Sequence, residues 1–166
     1  ARMLATLGRP VNWVTASEPN PTVRSFVHEM RTRHGFNVLY SDRSVLGGLP
    51  MLQALRRGEI VCMQLEPWGP LRGTHEIAFC GGETRFQLGP FVLSRLARAP
   101  LVPVFVVRKG IRHFDVRVVG RFDPHTPAEG VAALEAVARI YERLVRELPE
   151  QWLMFEDVWH DQPAVG

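Results

Sequence analysis

Short unbroken apolar runs alternate along this chain with stretches in which apolar residues recur every three or four positions. Residues 11–16, Val-Asn-Trp-Val-Thr-Ala, read as a buried strand, residues 37–40 as a second and residues 60–65 as a third. Two helical stretches lie between them. The first, residues 22–33, is rich in arginine and ends at Gly35; the second, residues 49–57, sets Met51, Leu52 and Leu55 on one face and ends at Gly58. Strand, helix, strand, helix, strand is the order of α/β units, in which a helical crossover returns the chain for parallel pairing. The expected fold class is α/β, with a mainly parallel mixed sheet flanked by helices.

Downstream the pattern loosens. Residues 66–73 form a loop, 76–79 a short strand, Gly81-Gly82 a turn and 90–98 a helix. Residues 101–107 are apolar throughout but include Pro103, with Pro100 just before. Proline has no N–H for a ladder, so this strand belongs at an edge, a strand start or a bulge. Alternation over residues 113–119 suggests the other half of a hairpin. The longest helix, residues 128–147, begins beside Pro127 and stops at Pro149, with Val131, Leu134, Val137, Ala138, Tyr141, Leu144 and Val145 at helical spacing. Residues 1–7 read as the last turns of a helix ended by Gly8 and Pro10, which suggests a start inside a larger protein, and 161–166 as a loose tail.

Composition narrows the possibilities. A chain of 166 residues that is 46% hydrophobic has material for one core, so a single domain over residues 1–160 is expected. Cys62 and Cys80 lack CxxC or Cys/His spacing, which gives no disulfide framework and no zinc site and fits a reducing, cytoplasmic setting. No segment approaches the roughly 20 apolar residues that span a bilayer. Work at a membrane would then proceed from its surface or through an anchor outside this sequence. The net charge is only +3, yet 19 of the 20 basic residues are arginine and the lone lysine is Lys109. Arginine presents a planar donor fork suited to phosphate and carboxylate, although codon usage would produce the same bias.

Parallel α/β sheets gather ligands at the carboxyl ends of their strands. There, Glu66 enters a loop stiffened by Pro67, Gly69 and Pro70 that carries Arg72 six residues later, a spacing that suits either a charge pair over a cleft or a plain surface loop. Arg24, Arg31 and Arg33 share one segment with His28 and His34; Arg24 and Arg31, seven apart, lie on one helix face that suits either an anionic head group or solvent. No GxSxG, GxGxxG or GxxxxGK[ST] is present, which argues against a nucleophile elbow and a nucleotide-binding loop.

Several short motifs occur in a specific order: Leu55-Arg56-Arg57-Gly58-Glu59-Ile60-Val61, Phe79-Cys80-Gly81-Gly82, Phe86-Gln87-Leu88-Gly89-Pro90, Ala99-Pro100-Leu101-Val102-Pro103-Val104 and Pro149-Glu150-Gln151-Trp152. In that order the chain resembles the bacterial lipid A biosynthesis acyltransferase family, part of the larger lysophospholipid and glycerol-phosphate acyltransferase group, from about Arg2 to Trp159.

The resemblance implies a glycerol-phosphate acyltransferase-like α/β fold. It implies transfer of a fatty acyl group from an acyl carrier protein or coenzyme A thioester to a hydroxyl of a membrane glycolipid or lysophospholipid. It also implies no metal or redox cofactor, no nucleic acid partner, and a place on the cytoplasmic face of the bacterial inner membrane. The family's general base is a His followed five positions on by Asp or Glu. The residues five on from His28, His34, His75, His113, His125 and His160 are Arg33, Leu39, Cys80, Val118, Gly130 and Val165, so the expected domain is incomplete, its base lying before Ala1. By the same resemblance Glu66 is the candidate catalytic residue, fixing the acceptor or the active geometry, and Arg31, Arg33 and Arg72 are candidates for holding phosphate. Leu65-Glu66-Pro67-Trp68 stands where an aspartate-rich segment is usual in the family, which leaves the acceptor open. A non-catalytic lipid-binding homologue is the alternative. Parallel topology predicts that the Arg face and the Glu66 loop meet at one cleft.

Overall fold

The computed structural model describes residues 8–16, 19–41, 47–67 and 73–159. They belong to two compact units, Ala1–Gln64 and Leu65–Gly166.

The first unit is the expected βαβαβ arrangement. β1 (Val11–Ala16) lies between β2 (Phe36–Ser41) and β3 (Ile60–Cys62), and both pairings are parallel, with Trp13 level with Val38 on one side and Cys62 on the other. Helix α1 (Pro21–Thr32) crosses from β1 to β2, started by Asn20, whose side chain accepts hydrogen bonds from the Thr22 and Val23 N–H groups. Helix α2 (Leu49–Arg56) crosses to β3 and buries Met51 and Ala54. A polar chain is threaded through the sheet: Asn37 Nδ2 donates to Asn12 Oδ1, and Asn12 Nδ2 donates to Glu59 Oε2 at 2.9 Å and to the Ile60 carbonyl at 3.2 Å. Asn12 is 3% exposed, so these bonds satisfy a polar group that would otherwise be costly to bury.

β3 is shorter than the expected 60–65. Only Ile60, Val61 and Cys62 find partners on β1, and residues 63–66 run on without a ladder, so Glu66 does not stand at a strand end.

The second unit departs from a mainly parallel sheet. β4 (Thr74–Phe79) and β5 (Gly82–Gln87) form one antiparallel hairpin, β6 (Val104–Arg108) and β7 (Phe114–Val118) another. In the first, Phe79 pairs with Gly82, leaving Cys80 and Gly81 as a two-residue loop with φ of 54° and 94°. Two positive φ angles match the twist of the flanking strands. The turn is therefore one residue earlier than expected, and Gly82 belongs to the strand, where a Cβ would run into the Trp159 indole. β6 starts directly after Pro103, as proline requires, while Leu101 forms an isolated bridge with Phe122.

Helix α3 (Gly89–Ala97) and the long helix α4 (Pro127–Glu147) complete this unit. Thr126 caps α4 by accepting from the Glu129 N–H, and the Glu129 carboxylate accepts from the His125 N–H. α4 buries Gly130, Ala133, Leu134, Val137, Ala138 and Val145, and these pack with Phe79, Phe86 and Phe91 into one core. Around Phe79 the rings of Phe86, Tyr141 and Trp152 stand edge to face at 5.3, 5.5 and 5.8 Å. No helix among the described residues is long and apolar enough to cross a membrane.

Candidate active site

Sequence order puts α1 antiparallel to β1, so its Arg-bearing side runs over the sheet face that carries Trp13 and Thr15. At the carboxyl ends of β1 and β2 this leaves a cleft of about 140 Å³ lined by Thr15, Ala16, Arg24, Val27, Arg31 and Tyr40. The seven-residue spacing of Arg24 and Arg31 thus does bring both to one site. Arg33 does not line the cleft: it is exposed, with Nη2 2.6 Å from Glu29 Oε1.

Arg31 is held over the Trp13 ring, its guanidinium carbon 5.7 Å from the ring centroid, within cation–π range. Its Nη1 and the Trp13 Nε1 are both buried and, among the described residues, neither has a hydrogen-bond partner. Each is a donor without an acceptor among the described residues, and a buried donor left so costs about 1–3 kcal/mol. A site whose unmet groups are all N–H is complementary to oxygen acceptors, above all anionic ones. At its rim the Tyr40 hydroxyl is 3.2 Å from His28 Nδ1. Trp13, Thr15 and Tyr40 had no motif to mark them; only the register of β1 and β2 puts them together.

In the second unit Glu66 is exposed and precedes Pro67, which is buried and whose carbonyl accepts from Thr84 Oγ1 at 3.3 Å. Glu66 is thus fixed from one side and open on the other. Its charge reaches Tyr141, whose phenol is pushed up by burial first and by Glu66 and Cys80 in addition. The Trp152 indole N–H opposes that shift from nearby, although it falls short of hydrogen-bond geometry and is left without a partner. Arg72 lies outside the described residues.

One contact had no sequence signal: His75 Nε2 is 3.2 Å from Glu135 Oε1, across 60 residues. Both side chains are more than a third exposed and line neither of the two hollows described, so the pair ties β4 to α4. The larger hollow, about 380 Å³ beside Arg121, Asp123 and Glu129, is shallow and contains none of the candidate residues. Among the described residues no group of three or more His, Cys, Asp or Glu side chains is placed to hold a metal ion.

The family model for bacterial lipid A biosynthesis acyltransferases matches residues 1–161, almost the whole chain. The chain belongs to that family. A search of curated proteins finds no significant match to it. As a lipid A biosynthesis acyltransferase it works on an acyl donor and a lipid acceptor.

Proposed function

We propose that this acyltransferase moves a fatty acyl group from an acyl carrier protein or coenzyme A thioester to a hydroxyl of an anionic membrane glycolipid or lysophospholipid, on the cytoplasmic face of the bacterial inner membrane. The observation that carries this reading is the pair of unsatisfied buried donors, Arg31 Nη1 and Trp13 Nε1, beside the Arg-lined cleft. In the reaction the acceptor hydroxyl oxygen bonds to the thioester carbonyl carbon, the carbon–sulfur bond breaks, and the hydroxyl proton passes by way of a base to the departing sulfur, which leaves as a thiol. The base that the family resemblance implies is not one of the six histidines here. The residues of this chain therefore hold and orient substrate.

Arg31, with Arg24, anchors the acceptor's phosphate so that its hydroxyl stays beside the thioester; such positioning is a large part of the rate advantage available to a transferase. Glu66 and Arg72 contribute to holding the acceptor. Mass spectrometry of lipids formed by the full-length protein tests this. Acyl carrier protein and coenzyme A thioesters should be supplied in turn with a phosphorylated glycolipid and with a lysophospholipid. One combination should give a product heavier by one acyl chain, and Glu66→Gln, which keeps shape and removes charge, should cut its turnover at least about tenfold with the fold intact. Unchanged turnover in Glu66→Gln would remove Glu66 from the site, and no acylated product from any combination would overturn the reading.

A further inference from the structure

Antiparallel ribbons that cover a core on one side ordinarily face water with polar residues on the other. The β6–β7 ribbon does not. Phe105 and Val107 point inward, the first 5.5 Å from the Tyr141 ring and the second 5% exposed, and Arg117 on the same side reaches Asp115 and Glu147. The outward side is apolar as well: Val104 pairs with Val118 and Val106 with Val116, all four exposed, and Phe114 at the end of β7 is 59% exposed.

The tip of the ribbon adds a second feature. Residues 108–113 read Arg-Lys-Gly-Ile-Arg-His, with no acidic residue, and Ile111 is 85% exposed between the cations. None of Arg108, Lys109 and Arg112 forms an ion pair with a described residue. The nearest acid along the chain, Asp115, is 3.0 Å from Arg117. The tip is therefore positive with an apolar point.

The tip is also held in place. The Gln151 side-chain amide bonds both backbone groups of Arg108: the Arg108 N–H donates to Oε1 at 2.7 Å and Nε2 donates to the Arg108 carbonyl at 3.1 Å. That imitates one rung of a sheet and explains a glutamine in the Pro149-Glu150-Gln151-Trp152 motif. The segment that follows Gln151 also carries Leu153 and Phe155, 75% and 89% exposed.

We infer that the β6–β7 ribbon docks on an anionic lipid surface, with Ile111 and the outer valines against acyl chains and Arg108, Lys109 and Arg112 against head-group phosphates. Charge decides for this occupant over a second copy of the chain, because two such tips would repel each other. The inference rests on the membrane-acceptor reading and adds the element that holds the enzyme to the membrane.

Co-sedimentation of the chain of residues 1–166 with lipid vesicles tests it. Vesicles containing phosphatidylglycerol should bind the chain and pure phosphatidylcholine vesicles should bind it weakly. A basic residue near an anionic surface contributes about fivefold in partitioning, so Lys109→Glu with Arg112→Glu should lose about 25-fold or more. Ile111→Asp, at a position open to solvent, should lose about fivefold or more with an unchanged circular dichroism spectrum. Arg143→Glu, exposed on α4 and not part of the ribbon, should change binding less than about twofold. Equal binding by all variants would overturn the inference. So would a solution dimer that Val106→Asp converts to monomer in a chain that ignores vesicles. Turnover of the full-length protein on a detergent-dispersed acceptor separates the two readings: if it persists while the chain fails to bind vesicles, docking alone is wrong, and if it is absent while vesicle binding holds, the acyl-transfer reading is wrong.

Discussion

The two units of this chain differ in where their unmatched buried donors lie: among the described residues the first has two beside its cleft and the second has one, Trp152 Nε1. In the second unit almost every buried polar group is matched: Thr84, fully buried, donates to the Val158 carbonyl, Ser94 Oγ donates to the Ala99 carbonyl at 2.6 Å, and Trp159 Nε1 donates to the Phe79 carbonyl at 2.8 Å. Its helices close over an aromatic core. In the first unit α1 buries no residue at all, and two donors beside a cleft have no partner among the described residues. Satisfied groups stabilise a fold, whereas unsatisfied ones are tolerated where a ligand completes them. On the proposed reading, the second unit supplies stability and the first recognises the acceptor.

Substitutions test that division. The largest stability effect should come from Phe86→Ala, which empties a site with no solvent exposure among Phe79, Tyr141 and α4. A loss of about 3–5 kcal/mol is expected in urea denaturation. A loss under about 1 kcal/mol would show that the aromatic cluster is not the stability core. Asn12→Ala should cost less, about 1–3 kcal/mol, because it strands Asn37 and the Ile60 carbonyl in the only polar chain through the described part of the parallel sheet. Trp13→Phe separates function from stability most sharply. It deletes an unsatisfied donor, so stability should stay within about 0.5 kcal/mol while the acceptor KM of the full-length enzyme rises a few-fold.

The smallest effect concerns pH. The Glu142 carboxyl is held below the usual carboxylate range, chiefly by Arg146, with the Cys80 N–H in support and burial opposing. A lowered folded value means that the contribution is present above the ordinary carboxylate pKa and fades as pH falls through the folded one. Glu142→Gln should therefore lower urea resistance at neutral and alkaline pH, where the carboxylate contributes, and make the further loss on acidification shallower. An acid limb identical to that of the parent chain would show that this carboxylate carries no linkage.

Much of this division is legible in the sequence, but unevenly. Residues 11–16 mark β1, and α4 starts at Pro127 and stops two residues before Pro149. β5 escaped notice because Gly82-Glu83-Thr84-Arg85-Phe86-Gln87 offers only one large apolar residue to its inner face. Its other inward residue, Thr84, is satisfied by Val158, 74 positions away. The apolar run at residues 60–65 overstates β3 for a related reason: it shows what can be buried, while ladder length depends on the partner strand. The spacing of Arg24 and Arg31 found the cleft. That Trp13 would lie beneath Arg31 with its own donor unmet depends on which face of β1 the helix covers, and no local pattern encodes that.

The central claim is that Arg31 holds the acceptor's anion, and steady-state kinetics of full-length Arg31→Ala test it most directly. Charge-assisted hydrogen bonds contribute about 1.5–3 kcal/mol each, so the acceptor KM should rise about tenfold or more with the donor KM little changed, and Arg31→Lys should recover only part of the loss. An acceptor KM equal to that of the parent enzyme, or a donor KM that rises by the same factor, would contradict the account.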